Sequence, residues 1–401
     1  MPEAVLVSTA RTPIGRAFKG SLTDQRPDDL AAFIVREALA KVPEVDARTV
    51  EDLMLGCGLP GGEQGFNMAR VVAILAGLEN VPGTTVTRYC SSSLQTIRMA
   101  MHAIRAGEGD LFVAAGVETV SRFGAGTSDV GSAKNPRFAD AAKRTEERAV
   151  EGGPWKPSDG LPDIYIDMGQ TSENVAELEG ITREEMDEFA ALSQNRAVRS
   201  QETGFFDREI TPVTKADGTV VAKDDGPRPN TTVEGRAQLK PVFRVDGKVT
   251  AGNACPLNDG AAAVVVMSDT RARELGVTPL ARIVASGVSA LDPEIMGLGP
   301  IEASRQALER AGMTMSDIDL VEINEAFAAQ VIPAARALGV EWDKLNVAGG
   351  AIALGHPFGM TGARIMTTLL NNLEHHGKQV GLETMCVGGG QGMAMIVERV
   401  S

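Results

Sequence analysis

The stretch TTVTRYCSSSLQTIRMAMHAIRAG (84–107) carries the reading of the fold. An extended run ends at Tyr89. A helical pattern follows at once, with Leu94, Ile97, Met101 and Ile104 on one face. A strand that feeds straight into a helix is the unit of layered α/β folds. Outward from it, AVLVST (4–9), DLMLG (52–56) and DLFVAAG (110–116) read as buried strands with helical segments between them. Asp28 and Asp29 are read as the cap of one such helix, which carries Leu30, Ile34 and Ala38. The alternation predicts mainly parallel strands.

The pattern returns later in the chain. ARIVASG (281–287) opens a second series, and the helix of Gln306–Arg310 and the strand DIDLVEIN (317–324) echo Glu37–Lys41 and VEDLMLG (50–56). Leu39 matches Leu308 and Asp52 matches Asp319, at offsets of 269 and 267 residues. Two halves of similar fold are expected: residues 1–120, completed by 251–270, and residues 271–401. Residues 121–250 show no clear period and read as an inserted loop domain. One firm helix is expected inside it, Thr182–Thr203. It has a capping box of Thr182 and Glu185 and a hydrophobic staple of Ile181 and Met186. Between 122 and 148, six basic residues (Arg122, Lys134, Arg137, Lys143, Arg144, Arg148) outnumber four acidic ones, a candidate cradle for an anion or else a solvated loop.

Composition narrows the function. The 401 residues include 39 Lys and Arg against 53 Asp and Glu, a net charge of −14, which disfavours nucleic-acid and anionic-membrane partners. No apolar run approaches the roughly 18 residues that span a bilayer. The opening MPEAVLVSTARTPIGR reads as a first strand rather than a removable signal. Hydrophobic residues at 43% exclude global disorder, and 44 glycines imply many close backbone approaches. Four scattered cysteines form neither a disulfide framework nor a metal-binding CxxC, so a reducing cytoplasm is the expected setting and no metal is implied.

Four segments carry chemistry. Cys90 sits at the strand-to-helix turn, where backbone N–H groups and the helix end would lower a thiol pKa and the turn would expose the sulfur; the alternative is an inert buried cysteine. In LNVAGGAIALGHPFGMTGARI (345–365), His356 alone among four histidines is framed by special backbone, as a positioned general base would be; it could equally be structural. In GLETMCVGGGQGMAMIVE (381–398), Cys386 precedes Gly388–Gly390, whose N–H groups can converge as an oxyanion hole requires. In IDLVEINEAFAAQV (318–331), Asn324 is either a helix cap or the holder of a water or carbonyl.

Together these pieces resemble the thiolases, over essentially the whole chain. They are Cys90 in RYCSSS, NEAF (324–327), GHP (355–357) and CVGGGQG (386–392), alongside AGVETVS (115–121). The resemblance implies an α/β fold of five αβαβα layers, with two similar halves and the inserted loop domain. It implies coenzyme A as co-substrate, no tightly bound cofactor, acyl-CoA and CoA as partners, and a homodimer or homotetramer. By resemblance Cys90 is acylated and Cys386 exchanges the proton of the departing or incoming acetyl group. His356 activates Cys90 and then CoA. Asn324 fixes a water, and the N–H groups of Cys90 and Gly388 make a second oxyanion hole. It likewise implies a CoA pocket of Arg228, Leu239, Phe243, Ala251, Met296, Ala326 and Phe327, with Met168 and Cys255 beside the substrate.

The chain departs from the family in places. Ser93 replaces the usual glycine of the nucleophile motif, which points to tighter packing near the acyl group. Cys255 and Pro256 replace a common Ser-Gly, and Gly235 stands at another position often held by serine. Asp167 precedes Met168 where acetoacetyl-CoA-specific members commonly have histidine. The expected activity is therefore thiolytic cleavage of longer or bulkier 3-ketoacyl-CoA, as in β-oxidation. The alternatives are a biosynthetic acetyl-CoA C-acetyltransferase and a non-catalytic thiolase-like lipid carrier. A ketoacyl synthase uses two histidines, or His and Asn, where this chain offers Cys386 with Asn324 and His356.

Overall fold

The computed structural model describes residues 2–125 and 134–400. The first half runs β1 (Ala4–Arg11), α1 (Pro27–Ala40), β2 (Asp52–Cys57), α2 (Met68–Leu75), β3 (Gly83–Val86), α3 (Ser92–Ala106) and β4 (Leu111–Thr119). The inserted region carries α4 (Ala139–Glu151), α5 (Met168–Leu178) and α6 (Arg183–Glu202). It returns through β5 (Asn258–Ser268). The second half runs β6 (Ala281–Ala290), α7 (Gly299–Ala311), β7 (Leu320–Ile323), α8 (Ala328–Leu338), α9 (Thr361–His375), β8 (Val380–Val387) and β9 (Gln391–Arg399).

The strands follow the order β7-β8-β9-β6-β1-β5-β4-β2-β3, with Gly15–Arg16 added beside β5. Within the sheet the two halves meet where Val5 pairs with Arg282 and Leu6 with Ala281. The order mirrors itself about that join. The offset of 269 read from Leu39 and Leu308 also relates Ser92 to Thr361 and Leu111 to Val380, the starts of matching elements. The expectation of mainly parallel strands is corrected. Only β2 with β3 and β4, and β7 with β8, run parallel. In each half the last strand, β5 or β9, inserts beside the first and runs against both neighbours. For β9 the cause is local: the Gly388–Gly390 turn sends the chain straight back.

Side-chain alternation sorts the strands into layers. Val5, Val7, Val113, Ala115, Val265 and Met267 face α1 and α2 in one core. Leu382, Ala394 and Ile396 face α7 and α8 in another. The opposite faces, with Leu6, Phe112, Val264, Ile283, Met385 and Met395, close on α3 and α9 in a central core. The result is helix, sheet, helix, sheet, helix. The two central helices touch near their N-termini: Gly362 lies against Leu94, and the Ala363 N–H donates to the Ser93 hydroxyl at 2.9 Å. Ser93 thus ties the halves together rather than packing the acyl side.

Two local readings change. Arg26 precedes α1, Pro27 opens it, and Asp28 and Asp29 lie inside its first turn, with Asp28 paired to Arg26 at 2.8 Å. Leu30, Ile34 and Ala38 are buried as expected. The inserted region holds more than the one expected helix. In α4 only Ala141 and Thr145 are buried, and α5 buries Thr171, Ser172 and Asn174, so neither shows an apolar stripe. The capping box of α6 is present, with Glu185 N–H to Thr182 Oγ1 at 3.1 Å and Thr182 N–H to Glu185 Oε2 at 2.7 Å.

Candidate active site

Because both central helices begin at the middle of the molecule, the residues just before them converge there. Cys90 lies in the short turn Tyr89–Ser91 that precedes α3, and Tyr89 is held at φ 44, a strained left-handed geometry for a non-glycine residue. Burial pushes the thiol up to about 11, against the Gly388 N–H, which faces the sulfur and favours its ionisation. The expectation of a lowered pKa and an exposed sulfur is thereby corrected. The residue is 8% exposed and opens onto a cavity of about 300 Å³.

His356 lies just before α9, with its N–H donating to Asn258 Oδ1 at 3.0 Å. Its Nδ1 is 2.6 Å from the Thr361 hydroxyl, whose single proton goes to the Pro357 carbonyl at 2.8 Å. The hydroxyl therefore accepts, Nδ1 carries the imidazole proton, and Nε2 presents its lone pair toward the Asn324 amide. Burial, with the charge of Arg364 in support, holds the imidazole neutral, its pKa down at about 3.

Asn324 Nδ2 sits 3.4 Å from that Nε2, while its Oδ1 is buried without a hydrogen-bond partner. It caps no helix, because α8 begins four residues later behind Phe327. An orphaned buried carbonyl oxygen beside an unprotonated imidazole nitrogen is a place for a water or a substrate oxygen.

Cys386, at the end of β8, is fully buried. Burial raises its thiol pKa strongly, and charge on Cys90 and on Cys255 would raise it further; Cys255 feels Cys90 in the same way. Cys386 packs with Met296, Ala326 and Phe327, against which Met168 and Phe243 also rest. Phe243 meets Phe327 edge-on at 6.2 Å. Cys255 joins this wall through its N–H to the Ala326 carbonyl at 3.0 Å. Leu239 lies over Gly252, and Ala251 next to it is exposed. Arg228 is not drawn into this wall: it is exposed, and its N–H donates to Gln194 Oε1 at 2.8 Å.

Three positioning residues escaped the sequence reading. Glu118, buried in β4, accepts from Gly58 N at 2.7 Å, Leu59 N at 3.2 Å, Gly359 N at 2.8 Å and Gln64 Nε2 at 2.7 Å. It clamps the loop after β2 to the loop that carries His356. Its signal was a lone acid in an otherwise apolar strand. Asn258 and Thr361 gave no comparable signal.

The thiolase N-terminal domain model matches residues 4–270, and the thiolase C-terminal domain model matches 277–399. The chain belongs to the thiolase family. A 3-ketoacyl-CoA thiolase of Bacillus subtilis is 42% identical, covering 99% of this chain and 100% of its own. A 3-oxoadipyl-CoA/3-oxo-5,6-dehydrosuberyl-CoA thiolase of Escherichia coli is 44% identical over 100% of both. The dimeric peroxisomal thiolase of Saccharomyces cerevisiae superposes with a TM-score of 0.88 at 34% identity, covering 99% of this chain and 97% of the other. As a thiolase the chain is an acyltransferase with coenzyme A as co-substrate. Among the described residues no helix is long and apolar enough to cross a membrane.

Proposed function

We propose that this thiolase is degradative: it cleaves 3-ketoacyl-CoA with CoA to acetyl-CoA and a shortened acyl-CoA, as in β-oxidation. The observation that carries the reading is Cys90, with Gly388 N–H on its sulfur, in a neighbourhood where His356 offers an unprotonated Nε2 beside Asn324. Cys90 transfers its proton to His356 as its sulfur attacks the ketone carbon. The Cα–Cβ bond breaks, and its electron pair leaves as the acetyl-CoA enolate. Cys386 protonates that enolate, whose oxygen rests on His356 and a water held by Asn324. The thioester left on Cys90 stays activated for transfer. His356 passes its proton back to the Cys386 thiolate and, neutral again, deprotonates the incoming CoA thiol, which attacks the acyl carbon; the departing Cys90 thiolate recovers its proton from His356. The N–H groups of Cys90 and Gly388 hold the developing oxyanion in that half, a donor pair whose single loss costs about 10²–10³ in rate.

The wall of Leu239, Phe243, Ala251, Met296, Ala326 and Phe327 would take the pantetheine arm, with Arg228 at its outer, adenine end and Cys255 beside it. Met168 would face the acyl group. Residues 1–120 with 251–270, then 121–250, then 271–401 form the first half, loop domain and second half of this reading. A second copy would sit along β3, which ends the sheet beside exposed Phe66, Ile74 and Leu75. This gives a homodimer or a tetramer of such dimers. Four free thiols suit a reducing, cytoplasmic setting.

A panel of 3-ketoacyl-CoA substrates, with Cys90→Ala as blank, tests the reading. Higher kcat/KM for chains longer or bulkier than acetoacetyl-CoA is expected. A strong preference for acetoacetyl-CoA would make the protein a biosynthetic acetyl-CoA C-acetyltransferase, and binding without turnover would make it a carrier.

A further inference from the structure

We infer that the acyl cavity of this thiolase takes a 3-ketoacyl chain ending in a carboxylate, and that Lys134 recognises that carboxylate. This rests on the catalytic reading above, since it assigns the cavity that opens on Cys90 to the acyl group.

The cavity of about 300 Å³ is at the small end for ligand sites. Leu59, Tyr89, Ile164, Met168 and Phe358 give it an apolar wall from Cys90 outward. Of the residues proposed for CoA and substrate, only Met168 lines it, so it lies on the acyl side of the sulfur rather than on the pantetheine side.

Among the described residues, Lys134 is the one charged side chain on this wall, and no carboxylate faces it. It makes no ion pair among the described residues; its ammonium rests 5.8 Å from the centre of the Tyr165 ring. The rest of the basic segment read from the sequence is accounted for differently. Arg122 pairs with Glu63, Lys143 with Glu147, and Arg148 with Glu294. Arg144 donates to Ser158 and to the Leu161 carbonyl, and Arg137 lies off the cavity wall. Arg88 lines the adjoining recess, but its guanidinium is already bonded to Gln95 at 3.1 Å and Gln391 at 2.9 Å. In a chain of net charge −14, an unpaired cation at the mouth of an apolar cavity is a specific feature. Lys134 is exposed, so a methyl-ended chain leaves its ammonium to water and gains nothing from it, whereas a carboxylate at the same depth gives a charge-assisted hydrogen bond.

The test compares two 3-ketoacyl-CoA substrates of equal chain length, one ending in a carboxylate and one in a methyl group, on the wild-type enzyme, Lys134→Met and Arg88→Gln. The wild type is expected to prefer the carboxylate-ended substrate. Lys134→Met is expected to lower its kcat/KM about fivefold to tenfold. The methyl-ended substrate and the KM for CoA should stay within about twofold. Equal wild-type rates on the two substrates would overturn the inference while leaving the thiolase reading intact. So would a loss in Lys134→Met shared by both substrates and by CoA, which would assign the lysine to CoA phosphates, or a preference removed by Arg88→Gln alone. Cleavage of neither substrate by the wild type would overturn both.

Discussion

The Nδ1 of His356 and the hydroxyl of Thr361 lie 2.6 Å apart, and that single contact decides which imidazole nitrogen can act as a base. Thr361→Val removes the acceptor and lets the ring protonate on the wrong side. We expect kcat to fall about tenfold to a hundredfold, within the roughly 10²–10⁴ that general acid–base catalysis supplies. Thr361→Ser, which keeps the hydroxyl, should recover most of the activity. A wild-type kcat in Thr361→Val would show that the tautomer is fixed elsewhere.

The resting thiol of Cys90 is pushed up to about 11, so below that pH the thiolate fraction rises about tenfold per unit. The rate of iodoacetamide alkylation at Cys90 should therefore climb steadily from pH 6.5 to 9. Peptide mapping assigns the modified residue. A plateau below pH 8 would mean a thiolate already formed at rest, and a stronger influence of the helix end than burial allows.

The clamp at Glu118 predicts coupling between stability and catalysis. In Glu118→Gln an amide NH2 replaces one oxygen among four N–H donors, leaving buried donors unpaired. A loss of about 2–3 kcal/mol in denaturant unfolding is expected. A reduced kcat should accompany it at temperatures where the variant is folded, because the Gly359 end of the His356 loop shifts. Unchanged kcat in the folded variant would reduce Glu118 to a packing role.

Close backbone approach explains part of the glycine content. A Cβ on Gly116 would lie 2.0 Å from the Gly359 carbonyl oxygen, where the His356 loop rests on β4. Gly116→Ala should cost about 3 kcal/mol. Gly160→Ala, where a Cβ meets nothing within 4 Å, should stay within about 0.5 kcal/mol by the same unfolding measurement.

The strands and the internal repeat were legible, because short apolar runs and the 269-residue offset survive in the sequence, whereas the grouping of Cys90 with His356, Asn324 and Gly388 followed only from the resemblance to thiolases. Strand direction was not legible: β5 and β9 carry the same apolar pattern whichever way they run. The helices α4 and α5 were missed because one buries only Ala141 and Thr145 and the other buries polar residues. The charge state of Cys90 was misjudged because a sequence shows the helix end but not the burial that outweighs it. Thr361 and Asn258 act through single contacts that no spacing announces.

Intact-protein and peptide mass spectrometry after mixing with 3-ketoacyl-CoA, without free CoA, tests the central proposal most directly. The account predicts an acyl group on the peptide containing Cys90, discharged when CoA is added and absent in Cys90→Ala. An adduct on Cys57, Cys255 or Cys386 instead, or turnover in Cys90→Ala, would contradict it.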